Sequence, residues 1–89
     1  MEKLGSHLKA ARLQAGLSQR ELALLLGQVV GGVPNNNEIS RYETGKGQIP
    51  PWRWEAFIGI LDMPVVEAWR AWGIDLAEHS SGIQLDHPP

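Results

Sequence analysis

The sequence predicts an all-α domain of five short helices with no sheet, and three observations carry that reading. Apolar residues recur at helical rather than alternating spacing in successive segments of the chain. Ser18-Gln19-Arg20-Glu21 has the form of a capping box, and Asn35 stands three residues before Glu38 as a second cap-like pair. Glycine or proline stands at the joints between the segments, where helices must end.

Leu4, Leu8, Ala11 and Ala15 define an amphipathic first helix over residues 4–15, with Lys9 and Arg12 flanking its apolar stripe. Gly16 is placed to end it in the left-handed conformation, followed by the apolar Leu17. The capping box starts a second helix at Gln19: the Ser18 hydroxyl accepts from the Glu21 backbone N–H, and the Glu21 carboxylate accepts from the Ser18 N–H. Leu22, Leu25 and Leu26 share its apolar face. Three glycines and a proline between Gly27 and Pro34 end this helix at or near Gly27; alternatively, Val29 and Val30 continue the stripe and the helix runs through Val30.

A third helix opens at Asn35, passes through Ile39 and Tyr42 and stops before Gly45. Pro50 and Pro51 mark the start of a fourth, whose Trp54, Phe57, Ile58 and Leu61 follow helical spacing. Asp62 and Pro64 open a fifth, with Val65, Val66, Trp69 and Trp72 on one stripe. After Gly73 the pattern fades. Residues 1–73 are read as the folded domain and residues 74–89 as a short, acidic, flexible C-terminal tail.

Eighty-nine residues suffice for one core and leave little for a second. No apolar run approaches the ~18–20 residues of a membrane span, and the N-terminus lacks the apolar region of a signal peptide. The chain has no cysteine, hence no disulfide framework or thiolate metal site, and a cytoplasmic location is expected. The net charge of −2 is unevenly placed. Residues 1–53 hold seven Lys and Arg against four Glu, a balance of +3, whereas residues 54–89 hold one Arg against six Asp and Glu, a balance of −5. That split predicts one face that meets a polyanion and another that does not.

Catalytic chemistry finds little support. The glycines between Gly27 and Gly32 lack the Lys-Ser/Thr of a phosphate loop, and His7, His79 and His87 share no ligand spacing. Asp75, Glu78, His79, Asp86 and His87 read as a solvated acidic tail rather than a metal site. The expectation is therefore a non-enzyme with no metal and no cofactor.

Two blocks give the chain a specific likeness: Gly16-Leu17-Ser18-Gln19-Arg20-Glu21-Leu22-Ala23, and Ile39-Ser40-Arg41-Tyr42-Glu43-Thr44-Gly45-Lys46. With Leu8, Ala11 and Arg12 before them, Leu26-Gly27 between and Leu61 after, the chain resembles the XRE-type helix-turn-helix family of phage Cro proteins and repressors. The resemblance covers about residues 4–63 and implies a lambda-repressor-like fold, commonly dimeric, with the third helix entering the major groove of DNA. One feature departs from the family. Gly27 and Ile39 lie twelve residues apart, about twice the family's spacing, which implies an unusually long turn.

Asparagine can pair with adenine N6/N7 and arginine with guanine O6/N7. Asn36, Asn37 and Arg41 are accordingly the expected base readers, with Glu38 and Ser40 as auxiliaries; the bland alternative is that residues 35–37 only turn and cap the chain. Gln19 is expected at a phosphate because the resemblance and the positive end of its helix agree, and Arg20, Lys46, Gln48 and Arg53 are the other phosphate candidates. The resemblance also implies an ion pair between Arg12 and Glu43 that ties the first helix to the end of the third. Trp54 reads as core, whereas Trp52 falls outside its helix's apolar stripe and lies at the surface or near phosphates. Val65, Trp69 and Trp72 form either core or a homodimer interface. Together these point to a sequence-specific regulator of transcription, a repressor on a palindromic operator. The alternative is a protein-interaction module on the same fold, such as an antitoxin that masks a toxin or an antirepressor.

Overall fold

Leu4 and Leu8, one helical turn apart, meet Leu22 and Leu26 of the next helix and Ile39, Trp54 and Phe57 from further along in a single buried core. The computed structural model describes residues 2–32 and 35–73. These form α1 (Glu2–Gln14), α2 (Gln19–Val30), α3 (Asn36–Glu43), α4 (Pro51–Ile60) and α5 (Val65–Trp72), with no strand among the described residues. The fold is all-α, as the periodicity predicts. α3 packs against both α1 and α2, while α2 also meets α4 and α1 also meets α5. The expected tail, with its acidic and histidine residues, lies outside the described residues.

Three of the helices end in the same way. Gly16 follows α1 with φ +74°; its N–H donates to the Leu13 carbonyl (3.0 Å) and the Leu17 N–H to the Arg12 carbonyl (3.1 Å). Gly45 repeats this after α3, and Asp62 repeats it after α4 with φ +50°. Each reversal satisfies carbonyls that a helix end leaves free, at the cost of a left-handed residue. Asp62 therefore closes α4 rather than opening α5, whose N-cap is Pro64 with no side-chain cap bond. Sequence alone favours the opening role because aspartate is a preferred N-cap, whereas in the left-handed position glycine is the usual choice.

α2 takes the longer of its two expected courses and runs through Gly27 to Val30. Val30 packs against the core, which offsets the ~1 kcal/mol penalty of a glycine inside the helix. Half of the expected long turn is thus an added helical turn, and only residues 31–35 separate α2 from α3.

α5 is rotated from the predicted stripe. Ala68 is its fully buried residue, and the Trp54 indole N–H donates to the Ala68 carbonyl at 2.9 Å, a close approach suited to a methyl side chain. Trp69 and Trp72 are half-buried against the core with their rings edge to face, and the Trp72 indole N–H donates to the Ile49 carbonyl (3.2 Å). Val65 and Val66 are exposed.

Candidate nucleic-acid interface

α3 is built to show one face. The Asn35 carbonyl oxygen accepts the Glu38 N–H (3.0 Å) and fixes the first turn. Ile39, Tyr42 and Glu43 point inward, so Asn37 and Arg41, four residues apart, share the opposite face. Asn36, Asn37 and Arg41 are all exposed, with Glu38 and Ser40 half-buried on the flanks of that face. Lys46 and Gln48 stand exposed on the segment that follows, before the buried Ile49 returns the chain to the core.

Behind this face lies a charged clamp. Arg12, expected on the flank of its helix, is buried, because α1 presents it to the end of α3. Its Nε donates to Glu43 Oε2 (2.5 Å) and its Nη2 to Glu43 Oε1 (3.0 Å), a two-pronged contact. Its Nη1 donates to the Leu17 carbonyl at 2.8 Å, so the same guanidinium also holds the turn between α1 and α2. Gln19 completes the group by donating through Nε2 to Glu43 Oε1 (3.1 Å). That amide carries two hydrogens and the bond uses one. One ion pair therefore binds α1, α2 and α3.

α1 and α3 could not meet so closely without Gly5. This buried glycine lies against the last turn of α3, and a Cβ added there would meet the Tyr42 and Glu43 carbonyl oxygens. At the start of α2, Arg20 is exposed and both halves of the capping box form, Ser18 N–H to Glu21 Oε1 at 2.9 Å and Glu21 N–H to Ser18 Oγ at 3.0 Å. The Ser18 backbone N–H, and after it the hydroxyl, holds the Glu21 carboxyl below the usual carboxylate range.

Arg53, one of the phosphate candidates, is tied to α3. Its Nη1 donates to Glu38 Oε2 (3.0 Å) and to the Tyr42 hydroxyl (2.7 Å), and its guanidinium lies 5.2 Å from the centre of the Trp52 ring. A positive group over an aromatic face is an attractive arrangement. Trp52 itself is exposed, at the edge of an apolar groove formed with Val29, Val30, Ala56 and Ile60.

α2, the short connection and α3 thus form a tight pair braced by α1, with a polar face turned outward. A family model described as a helix-turn-helix domain matches residues 3–69, three quarters of the chain. The chain belongs to the helix-turn-helix domain family, in its XRE/Cro-like class. No individual curated protein matches it.

As a helix-turn-helix domain it is a DNA-binding module of the kind used in transcription regulation, a family that is typically non-enzymatic. Among the described residues no helix is long and apolar enough to cross a membrane. α2 and α3 are the pair that the resemblance casts as the helix-turn-helix. The capping roles of Asn35, Ser18 and Glu21 are legible in the sequence, and two other features are not. Gly5 carries no signal, because a glycine early in a helix reads as a weak position until its neighbour is known. The Arg53–Glu38–Tyr42 group joins α3 to α4 across 11 and 15 residues, separations at which local periodicity says nothing.

Proposed function

We propose that the protein is a sequence-specific, double-stranded-DNA-binding repressor that acts as a homodimer on a palindromic operator. The observation that carries this reading is the outward face of α3. Asn37 and Arg41 are exposed on it while the buried Arg12–Glu43 pair fixes the helix from behind. Preorganised donors of this kind match adenine and guanine edges in the major groove, and Asn36 joins them from the first turn.

Phosphate contacts come from the free hydrogen of the Gln19 amide, from Arg20 and from Lys46 and Gln48. Arg53, whose Nη1 is shared between Glu38 and Tyr42, is left out of that set. Two copies are needed because a single recognition helix of eight residues reads few bases. The α5 surface that includes Val65, Trp69 and Trp72 supplies the contact between them.

Selection from a random duplex library, followed by gel shift at several salt concentrations, tests the reading. A two-fold-symmetric site is expected. Arg41→Ala or Asn37→Ala should cost about 1–3 kcal/mol on that site and blunt base discrimination. Arg20→Ala or Lys46→Ala should weaken all sequences alike and lower the salt slope by about one unit for each phosphate no longer neutralised. Failure of the wild-type protein to select any sequence would overturn the reading, and a reporter that rises in the protein's presence would overturn the repressor assignment.

A further inference from the structure

Glu38 is a carboxylate on the recognition helix, an unusual group to carry toward a polyanion. It occupies the first turn of α3, on the flank of the face that shows Asn37 and Arg41, with its side chain 43% exposed. Its backbone is fixed by the Asn35 cap, and its Oε2 is held by Arg53 Nη1 at 3.0 Å. Arg53 is in turn immobilised. Its side chain is only 18% exposed, the Tyr42 hydroxyl accepts from the same Nη1, and the Trp52 ring lies against the guanidinium. Arg53 Nε is buried without an acceptor among the described residues, so the guanidinium is anchored through Nη1 and the ring contact.

We propose that Glu38 is a specificity-determining residue that accepts a hydrogen bond from the exocyclic amino group of a cytosine, and that Arg53 is the positioning residue that holds it. The assignment rests on the DNA-binding reading above and deepens it. An ionised carboxylate only accepts hydrogen bonds, so phosphate oxygens and the O6, N7 and O4 acceptors of the major groove all repel it. The major-groove donors are the amino groups of adenine and cytosine. Adenine's stands beside the N7 acceptor, which suits an amide and opposes a carboxylate, so cytosine N4 is the partner that matches. Arg53 supplies what the carboxylate lacks. It offsets the negative charge next to the phosphates and fixes Oε2, leaving Oε1 as the reading atom.

Selection from a random duplex library at constant salt, with the full chain and its variants, tests the assignment. The wild type is expected to select cytosine at one position of its site. Glu38→Ala should become indifferent there, by on the order of ten-fold in relative affinity. Glu38→Gln, which presents an amide, should move the preference at that position to adenine. Arg53→Leu should weaken the cytosine preference while the positions read by Asn37 and Arg41 keep theirs, with helicity checked by circular dichroism. If Arg53→Leu does not fold, the two Glu38 variants still decide. A Glu38→Ala protein with the wild-type preference at every position, or one that tightens on all sequences alike, would overturn the assignment and leave the DNA-binding reading intact. A wild type that selects no sequence would overturn both.

Discussion

Gly5 of α1 lies so close to the last turn of α3 that a Cβ on it would stand 2.7 Å from the carbonyl oxygen of Glu43. The obstructing atoms are backbone, which cannot rotate aside as a long side chain would. Gly5→Ala should therefore destabilise the fold by about 1–3 kcal/mol, although alanine is the better helix former. Gly59 offers the opposite case, since it is exposed on α4 and nothing lies within 4 Å of its added Cβ. Gly59→Ala should stabilise by about 0.5–1 kcal/mol. Urea denaturation of both variants checks the pair, and equal shifts of the same sign would mean that α1 and α3 are not in contact at Gly5.

The Arg12–Glu43 pair predicts strong non-additivity. Glu43→Ala should cost about 3–5 kcal/mol, because Arg12 is left buried with a charge and no carboxylate. Replacing both residues, Arg12→Met with Glu43→Leu, should cost less than either single change, since no unpaired charge remains. A double-mutant cycle in urea measures this, and simple additivity would place the pair effectively at the surface. Affinity for DNA is expected to fall even in a stable double variant, because Gln19 loses its carboxylate partner along with α1.

How much of this was legible in the sequence depended on distance along the chain. The ends of α1 and α3 and the start of α2 could be read because Gly16, Gly45 and the Ser18–Glu21 box act within a few residues. The course of α2 past Gly27 could not be decided, since local propensity and the packing of Val30 pull in opposite directions. Asn36, Asn37 and Arg41 stood out by their hydrogen-bonding chemistry and their place on the helix, whereas their exposure depends on the inward packing of Ile39, Tyr42 and Glu43. The role of Arg53 did not stand out, because its partners Glu38 and Tyr42 belong to another helix.

Asp62 holds a left-handed backbone, φ +50°, that glycine adopts without strain. Asp62→Gly should therefore preserve the end of α4 and raise stability by a few tenths to about 1 kcal/mol, less the entropy that glycine adds to the unfolded chain. Asp62→Val, branched at Cβ, should lower it. Thermal melts of the two variants against the wild type check this, and an Asp62→Gly protein less stable than the wild type would mean that Asp62 acts as the cap of α5 after all.

The capping box gives α2 a pH dependence. Hydrogen bonding to Ser18 lowers the Glu21 pKa in the folded protein, so the contribution is fully present above the ordinary glutamate value of 4.5. It is lost as pH falls through the lowered value of the folded state. Wild type and Glu21→Gln should differ in stability near neutral pH and converge below the ordinary glutamate range. Urea midpoints across that range check this, and a constant difference would show that the carboxylate's charge plays no part in the cap.

Dimerisation through α5 makes the final prediction, and the structure decides which residues can test it. Recognition helices that meet successive turns of the groove lie about 34 Å apart, so the contact between copies must be away from α3. Trp72 is a poor probe because its indole anchors the Ile49 carbonyl, and Trp69 packs against it; truncating either disturbs the monomer. Val65 and Val66 are better. They are 52% and 38% exposed, begin α5, and lie beside half-buried tryptophan faces that large apolar partners could cover. Val65→Asp with Val66→Asp should leave helicity and the melting temperature of the monomer nearly unchanged, place like charges at the contact, and shift the protein from dimer to monomer. Cooperative binding to a two-fold site should disappear with it, while the Asn37 and Arg41 contacts within one half-site persist. Sedimentation at micromolar concentration reads the first effect and gel shift on half-sites and full sites reads the second. A folded double variant that still sediments as a dimer would remove α5 from the interface.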